Sequence, residues 1–170
     1  MHEPPRWASI LLRPASFCFE AVVHLRRRRF DAGRGVVHLG MPVISVGNLT
    51  AGGTGKTPMC RWIAGRIQDA GRRPAIALRG YRAAATGFSD EAAEYEERLE
   101  GVPIAIGADR VASVAQIEPP PELLVLDDGF QHRRVHRDLD FVLIDASRSG
   151  LDRPMLPAGP RREPCSALRR

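Results

Sequence analysis

"PVISVGNLTAGGTGKTPMCRWIAGRIQDAG", Pro42 to Gly71, decides how the rest of this chain is read. It opens with an apolar, β-branched run, Pro42 to Val46, which has the pattern of a buried strand. A Gly-rich turn follows. The next segment, "TPMCRWIAGRIQDAG", reads as a helix closed by Gly71. Strand, Gly-rich turn and helix in that order are the setting of a phosphate-binding loop. The usual pattern is Gly, four residues, then Gly-Lys-Ser/Thr. Gly55, Lys56 and Thr57 supply its end, and counting back places Thr50 where the first Gly belongs. Gly52, Gly53 and Gly55 let the backbone curl so that successive N–H groups point at phosphate oxygens. The following helix adds its positive N-terminal end. The expected nucleotide-binding residues are therefore Thr50, Gly52, Gly53, Thr54, Gly55, Lys56 and Thr57. Lys56 is expected to reach the β- and γ-phosphates, and Thr57 to ligate Mg²⁺.

The alternation continues downstream. "PAIAL" (Pro74 to Leu78) reads as a second strand, and "DEAAEYEERLE" (Asp90 to Glu100) as a helix ended by Gly101. "VPIAI" is a third strand and "DRVASVAQI" a helix. After the stiff "PPPE", "LLVLDD" (Leu123 to Asp128) and "DFVLID" (Asp140 to Asp145) are the fourth and fifth strands. Short apolar strands alternating with helices predict an α/β fold, a mostly parallel sheet with helices on both faces. In such sheets ligands bind beyond the C-terminal ends of the strands.

The chain has 170 residues, 44% hydrophobic and 26% charged, an ordinary globular composition for one domain. A net charge of +5 favours anionic partners. Lys56 is the single lysine; every other basic residue is Arg. A compact ammonium suits a phosphate under a tight loop better than a rigid guanidinium fork does. Cys18, Cys60 and Cys165 are far apart, with no C-x-x-C, which argues against a disulfide framework or zinc site.

Residues 1–35 form a separate region, with the nucleotide-binding domain over 36–170. The apolar part of "RWASILLRPASFCFEAVVHLRRRRF" contains Glu20 and falls short of the about 20 apolar residues a spanning helix needs. Arg26 to Arg29 follow the apolar run instead of preceding it, unlike a secretory signal. Pro14 is placed to start a helix on which Phe17, Ala21, Val22 and Leu25 share a face. Such an N-terminal amphipathic helix with trailing Arg suits an anionic membrane surface; a helix packed on the domain is the plainer alternative.

Further chemistry sits at strand ends. "LLVLDDG" delivers Asp127 and Asp128 to the end of a buried strand, where a P-loop enzyme needs an acidic residue for Mg²⁺. Asp90 opens a helix, which suits an N-cap and equally a carboxylate that takes a proton from an attacking hydroxyl. His132 and His136 are four apart, but flanking Arg residues and a loop setting argue against a metal pair. "LPAGPRREP" reads as an ordered loop carrying the carboxylate of Glu163.

Together "VGNLTAGGTGKTP", "LRGY", "SDEA", "GADRVAS", "LDDGFQHRRVHRDLDFVLID" and "LPAGPRREP" resemble the tetraacyldisaccharide 4′-kinases, the lipid A kinases of Gram-negative bacteria. The resemblance runs from about Trp7 to the end. The family accepts Thr or Ser where Thr50 stands. The resemblance implies a P-loop kinase at the cytoplasmic face of the inner membrane. Such an enzyme moves the ATP γ-phosphate to the 4′-hydroxyl of a tetraacylated disaccharide 1-phosphate. It implies ATP and Mg²⁺ as cofactors and a catalytic role for Asp90 with Lys56. Asp127, Asp128 and Glu163 fall in its metal and nucleotide cluster, with Arg110 and Arg162 near the site. The N-terminal helix matches the family's membrane-associating segment.

Ser89, Ala92 and Arg161 depart from the family's usual Gly, Pro and Leu. Family members are about twice as long, with a second lobe that this sequence does not show. The alternative expectation is accordingly a chain that binds Mg-ATP without efficient transfer. Two other classes fit poorly. A membrane-positioning ATPase needs a signature Lys where Ala51 stands, and a nucleic-acid module lacks any recognition motif.

Overall fold

The computed structural model describes residues 6–80, 90–147 and 149–169. The elements run α1 (Arg6–Leu11), α2 (Arg13–Asp31), β1 (Val43–Asn48), α3 (Lys56–Asp69) and β2 (Pro74–Leu78). Then come α4 (Asp90–Arg98), β3 (Ile104–Ile106), α5 (Arg110–Val114), β4 (Leu123–Asp127), β5 (Leu139–Leu143) and a 3₁₀ turn (Cys165–Arg169). They divide into two compact units: residues 37–47 with 55–141, and residues 1–36, 48–54 and 142–170.

The first of these carries the sheet, in the order β3-β2-β4-β1-β5. β1 pairs parallel with β4, β4 with β2, and β2 with β3. This is the expected P-loop NTPase-like arrangement. Side chains alternate across the sheet. Val43, Ala75, Ala77, Ala105, Leu124 and Leu126 form one face, covered by Val114 of α5 together with Val111 and Ile117. α3 and α4 contact the strands of the sheet as well. They contribute buried Cys60, Ile63 and Ala64, and Tyr95 and Leu99, toward the side of Ile76 and Val125. The register Val46↔Asp127 sets the end of β4 opposite Val46, two residues before β1 ends at Asn48.

In the other unit, α2 is held by polar groups. Ser16 is its only buried residue. Its hydroxyl donates to the Met155 carbonyl at 2.9 Å and accepts from the Ala158 N–H at 3.0 Å. The Arg27 guanidinium donates to the Ser166 hydroxyl at 3.0 Å. Phe17, Val22 and Leu25 of α2, with Trp7, Ile10 and Leu11 of α1, are exposed. Among the described residues no helix is long and apolar enough to cross a membrane.

Candidate functional site

Gly55 ends the loop with φ 80° and caps α3, so Lys56 and Thr57 lie in the helix's first turn. A left-handed cap at this point is a conformation glycine adopts without Cβ strain. Lys56 Nζ lies 3.7 Å from Asp128 Oδ1. Asp128 follows β4 with φ 50°, a strained setting for a non-glycine residue, and keeps a partly exposed carboxylate. Thr57 is half-buried. Lys56 and Asp128 are thus brought together.

Asp127 is different. It is buried at the end of β4, and its Oδ2 accepts a hydrogen bond from the Tyr95 hydroxyl of α4 at 2.8 Å. Burial raises its pKa above the ordinary carboxylate range, against the pull of the Tyr95 hydrogen bond. The Cys60 thiol of α3 lies beside both groups, and burial followed by the Asp127 charge pushes it up. Arg110, buried in the first turn of α5, donates to the Asp127 carbonyl at 3.2 Å. Its other nitrogen lies 3.1 Å from His132 Nδ1. A guanidinium has no acceptor, so Nδ1 is the acceptor and the His132 proton sits on Nε2.

The loop residues 48–54 belong to the other unit with the C-terminal segment. Thr50 pairs antiparallel with Arg161, and the Ala51 N–H donates to the Pro160 carbonyl at 2.7 Å. The Leu49 carbonyl accepts from the Arg162 and Glu163 N–H groups at 2.7 and 3.4 Å. The position of the missing glycine is therefore a bridged, extended residue, for which Thr is suited. Asn48 is fully buried; its Nδ2 donates to Thr54 Oγ1 at 3.0 Å and the Gly52 carbonyl at 3.4 Å. Arg162 donates to Asn48 Oδ1 at 3.1 Å and to the Thr50 carbonyl at 3.4 Å. Gly52 and Gly53 are exposed, and a Cβ on either would meet open space. Gly52 has φ 138°, which explains its glycine.

A family model described as Tetraacyldisaccharide-1-P 4′-kinase matches residues 8–170. The chain belongs to this family. It is 42% identical to a protein of Pseudomonas fluorescens (strain Pf0-1) named tetraacyldisaccharide 4′-kinase, over 95% of this chain and 52% of that one. A protein of the same name from Azoarcus sp. (strain BH72) is 38% identical over 98% of this chain and 54% of its own length. The chain thus spans about half the length of the curated relatives it matches. The fold is similar to a crystal structure of LpxK from Aquifex aeolicus, described as the "apo" form in complex with ATP. The TM-score is 0.82 and the identity 33%, over 95% of this chain and 56% of that one.

In this tetraacyldisaccharide-1-P 4′-kinase family member, α4 begins at Asp90, while the side chain of Asp90 lies outside the described residues. Ser89 and the loop before it lie outside them too. His132 faces Arg110, whereas His136 stacks on His38 with ring centroids 4.2 Å apart, so the two histidines have different partners. Glu163 is buried, in the unit of loop residues 48–54. Among the described residues no three His, Cys, Asp or Glu side chains converge into a metal cage. Sequence reasoning missed Tyr95 and Asn48. Tyr95 lies on the buried stripe of Ala92 and Tyr95 on α4 and Leu99 just after it, where the sole hydroxyl was the available signal. Asn48 was visible only as a polar residue ending an apolar strand.

Proposed function

We propose that the chain is the nucleotide-binding portion of an ATP-dependent kinase that phosphorylates the 4′-hydroxyl of tetraacyldisaccharide 1-phosphate in lipid A biosynthesis. The carrying observation is Lys56, in the first turn of the helix after the Gly-rich loop, facing Asp128 at the end of the neighbouring strand. The family membership and the ATP named for the Aquifex aeolicus structure support the same reading.

In this reading Thr50, Gly52, Gly53, Thr54 and Gly55 bind the triphosphate through the loop, with Arg110 and Arg162 as further nucleotide-binding residues. The Lys56–Asp128 pair is partly exposed and worth about 0–1 kcal/mol. A triphosphate carries more charge than one carboxylate and displaces Asp128 from Lys56. The hydroxyl oxygen of the sugar attacks the γ-phosphorus, the bond to the β-phosphate oxygen breaks, and ADP leaves. Asp90 takes the hydroxyl proton. Most of the rate gain comes from positioning and electrostatics.

Mg²⁺ fits the oxygen donors present. This ion needs one or two protein oxygens beside phosphates and waters rather than an all-protein cage. Thr57, Asp128 and Asp127 are the residues that would hold it, with Glu163 as a further carboxylate. When bound, it would offset charge on the phosphates.

Membrane association at the cytoplasmic face of the inner membrane belongs to the same proposal. α2 keeps polar groups inward and leaves Phe17, Val22 and Leu25 outward, with exposed Arg26, Arg28 and Arg29 following. Such a face suits the headgroup region of an anionic leaflet, where an acylated substrate resides.

Incubation with labelled ATP, Mg²⁺ and the disaccharide 1-phosphate tests the reading. Label on the lipid, lowered more than about 100-fold by Lys56→Ala, is expected. Label bound as ATP but never transferred would leave nucleotide binding alone.

A further inference from the structure

We propose that Tyr95 is a positioning residue for nucleotide-bound Mg²⁺, acting through the Asp127 carboxylate that its hydroxyl holds. The role rests on the kinase reading above.

Tyr95 is fully buried and heads the large side chains that are, and its hydroxyl sits 2.8 Å from Asp127 Oδ2. Packing alone does not require that hydroxyl. Phe would fill the same space against the sheet without a polar group to satisfy, and a buried hydroxyl is tolerated only with a partner. The partner here is an acidic group at the end of β4, one residue before the carboxylate that faces Lys56. Arg110 holds the main-chain carbonyl of the same residue from α5. Asp127 is therefore gripped twice, through its side chain by α4 and through its backbone by α5. Carboxylates that serve metals are commonly oriented by a second hydrogen-bonding partner.

The helix supplying the grip also begins at Asp90. At 1.5 Å per residue, Tyr95 stands about 7.5 Å along the axis from that start. One short rigid element thus links the end of β4 to the helix start where the proposed proton acceptor lies. The sequence-derived catalytic set contains nothing that makes this link.

The test uses the full chain. ATP binding is titrated calorimetrically with excess EDTA and again across a range of free Mg²⁺. Tyr95→Phe is expected to raise the Mg²⁺ concentration for half-maximal enhancement about 10-fold. ATP binding in EDTA should stay unchanged. Asp127→Asn should produce at least the same loss, and the double variant no more than Asp127→Asn alone, because both changes act on one interaction. An unchanged Mg²⁺ dependence in Tyr95→Phe, or additive losses, would overturn the role.

A second measurement leaves Tyr95 in place. The chain has two tyrosines, so fluorotyrosine labelling of Tyr81→Phe marks Tyr95 alone. Its ¹⁹F resonance should move when Mg²⁺ is added to the ATP-bound chain, and a resonance that stays put sinks the proposal. A wild-type chain that binds no nucleotide overturns the kinase reading and this role together. Nucleotide binding with an unresponsive Tyr95 overturns this role only.

Discussion

Two helices of this chain handle their apolar residues in opposite ways. α4 buries Ala92 and Tyr95, with buried Leu99 just after it at helical spacing, and turns Glu94, Glu96, Glu97 and Arg98 to solvent. α2 buries one serine and exposes Phe17, Val22 and Leu25. Both have an apolar face, but only one has a protein surface to cover it. The apolar stripe of α4 is explained by the stability of its own unit. That of α2 stays exposed among the described residues, so the stability of its unit does not explain it.

The contrast can be broken by mutation, since the unit with the sheet should punish changes that α2 tolerates. Leu126→Ala, at a fully buried position of β4, is expected to cost about 3–5 kcal/mol in denaturant unfolding. Gly47→Ala comes next. A Cβ there would stand 2.8 Å from the Phe130 backbone nitrogen and closer still to its Cβ, and neither moves cheaply. Overpacking of this kind costs about 3 kcal/mol, and a variant as stable as wild type would contradict the close approach. Ser16→Ala should cost about 1–2 kcal/mol, because the Ala158 N–H loses its acceptor. The smallest effect on folding is expected for Phe17→Ser, within about 0.5 kcal/mol. The same change should weaken binding to anionic vesicles about 10-fold in a sedimentation assay. Vesicle binding equal to wild type would leave the exposed face unexplained.

Asp127→Asn sharpens the point within one unit. Burial raises the pKa of Asp127, so its ionised form is disfavoured by the fold near neutral pH. The amide is expected to raise the thermal midpoint of the nucleotide-free chain while reducing Mg²⁺-dependent ATP binding. A lower midpoint would mean that the Tyr95 hydrogen bond outweighs burial.

Much of this was legible from residue order. Pro74–Leu78 is the strand its composition indicates, residue for residue. The reading of 109–117 as a helix was too long, because the regular turns stop at Val114 although Ile117 still packs below the sheet. The fifth strand begins one residue earlier and ends two earlier than its apolar run suggests. A separate α1 escaped notice. Lys56 and Thr57 could be placed at a helix start, and Asp127 and Asp128 at a strand end, because those patterns are local. Tyr95 against Asp127 and Arg162 against Asn48 could not, since each pair joins residues far apart in the chain. No period or cap encodes such a meeting.

The bridge between Thr50 and Arg161 also bears on the order in which the molecule is made. The first half of the Gly-rich loop leaves the ribosome well before the segment that braces it, since Arg162 lies 112 positions after Thr50. At about 5–20 residues per second, that delay is about 5–20 s. The sheet can assemble in the meantime, while the loop waits for Pro160 and Arg162. A nascent chain should therefore acquire the strands of its sheet before this loop is braced.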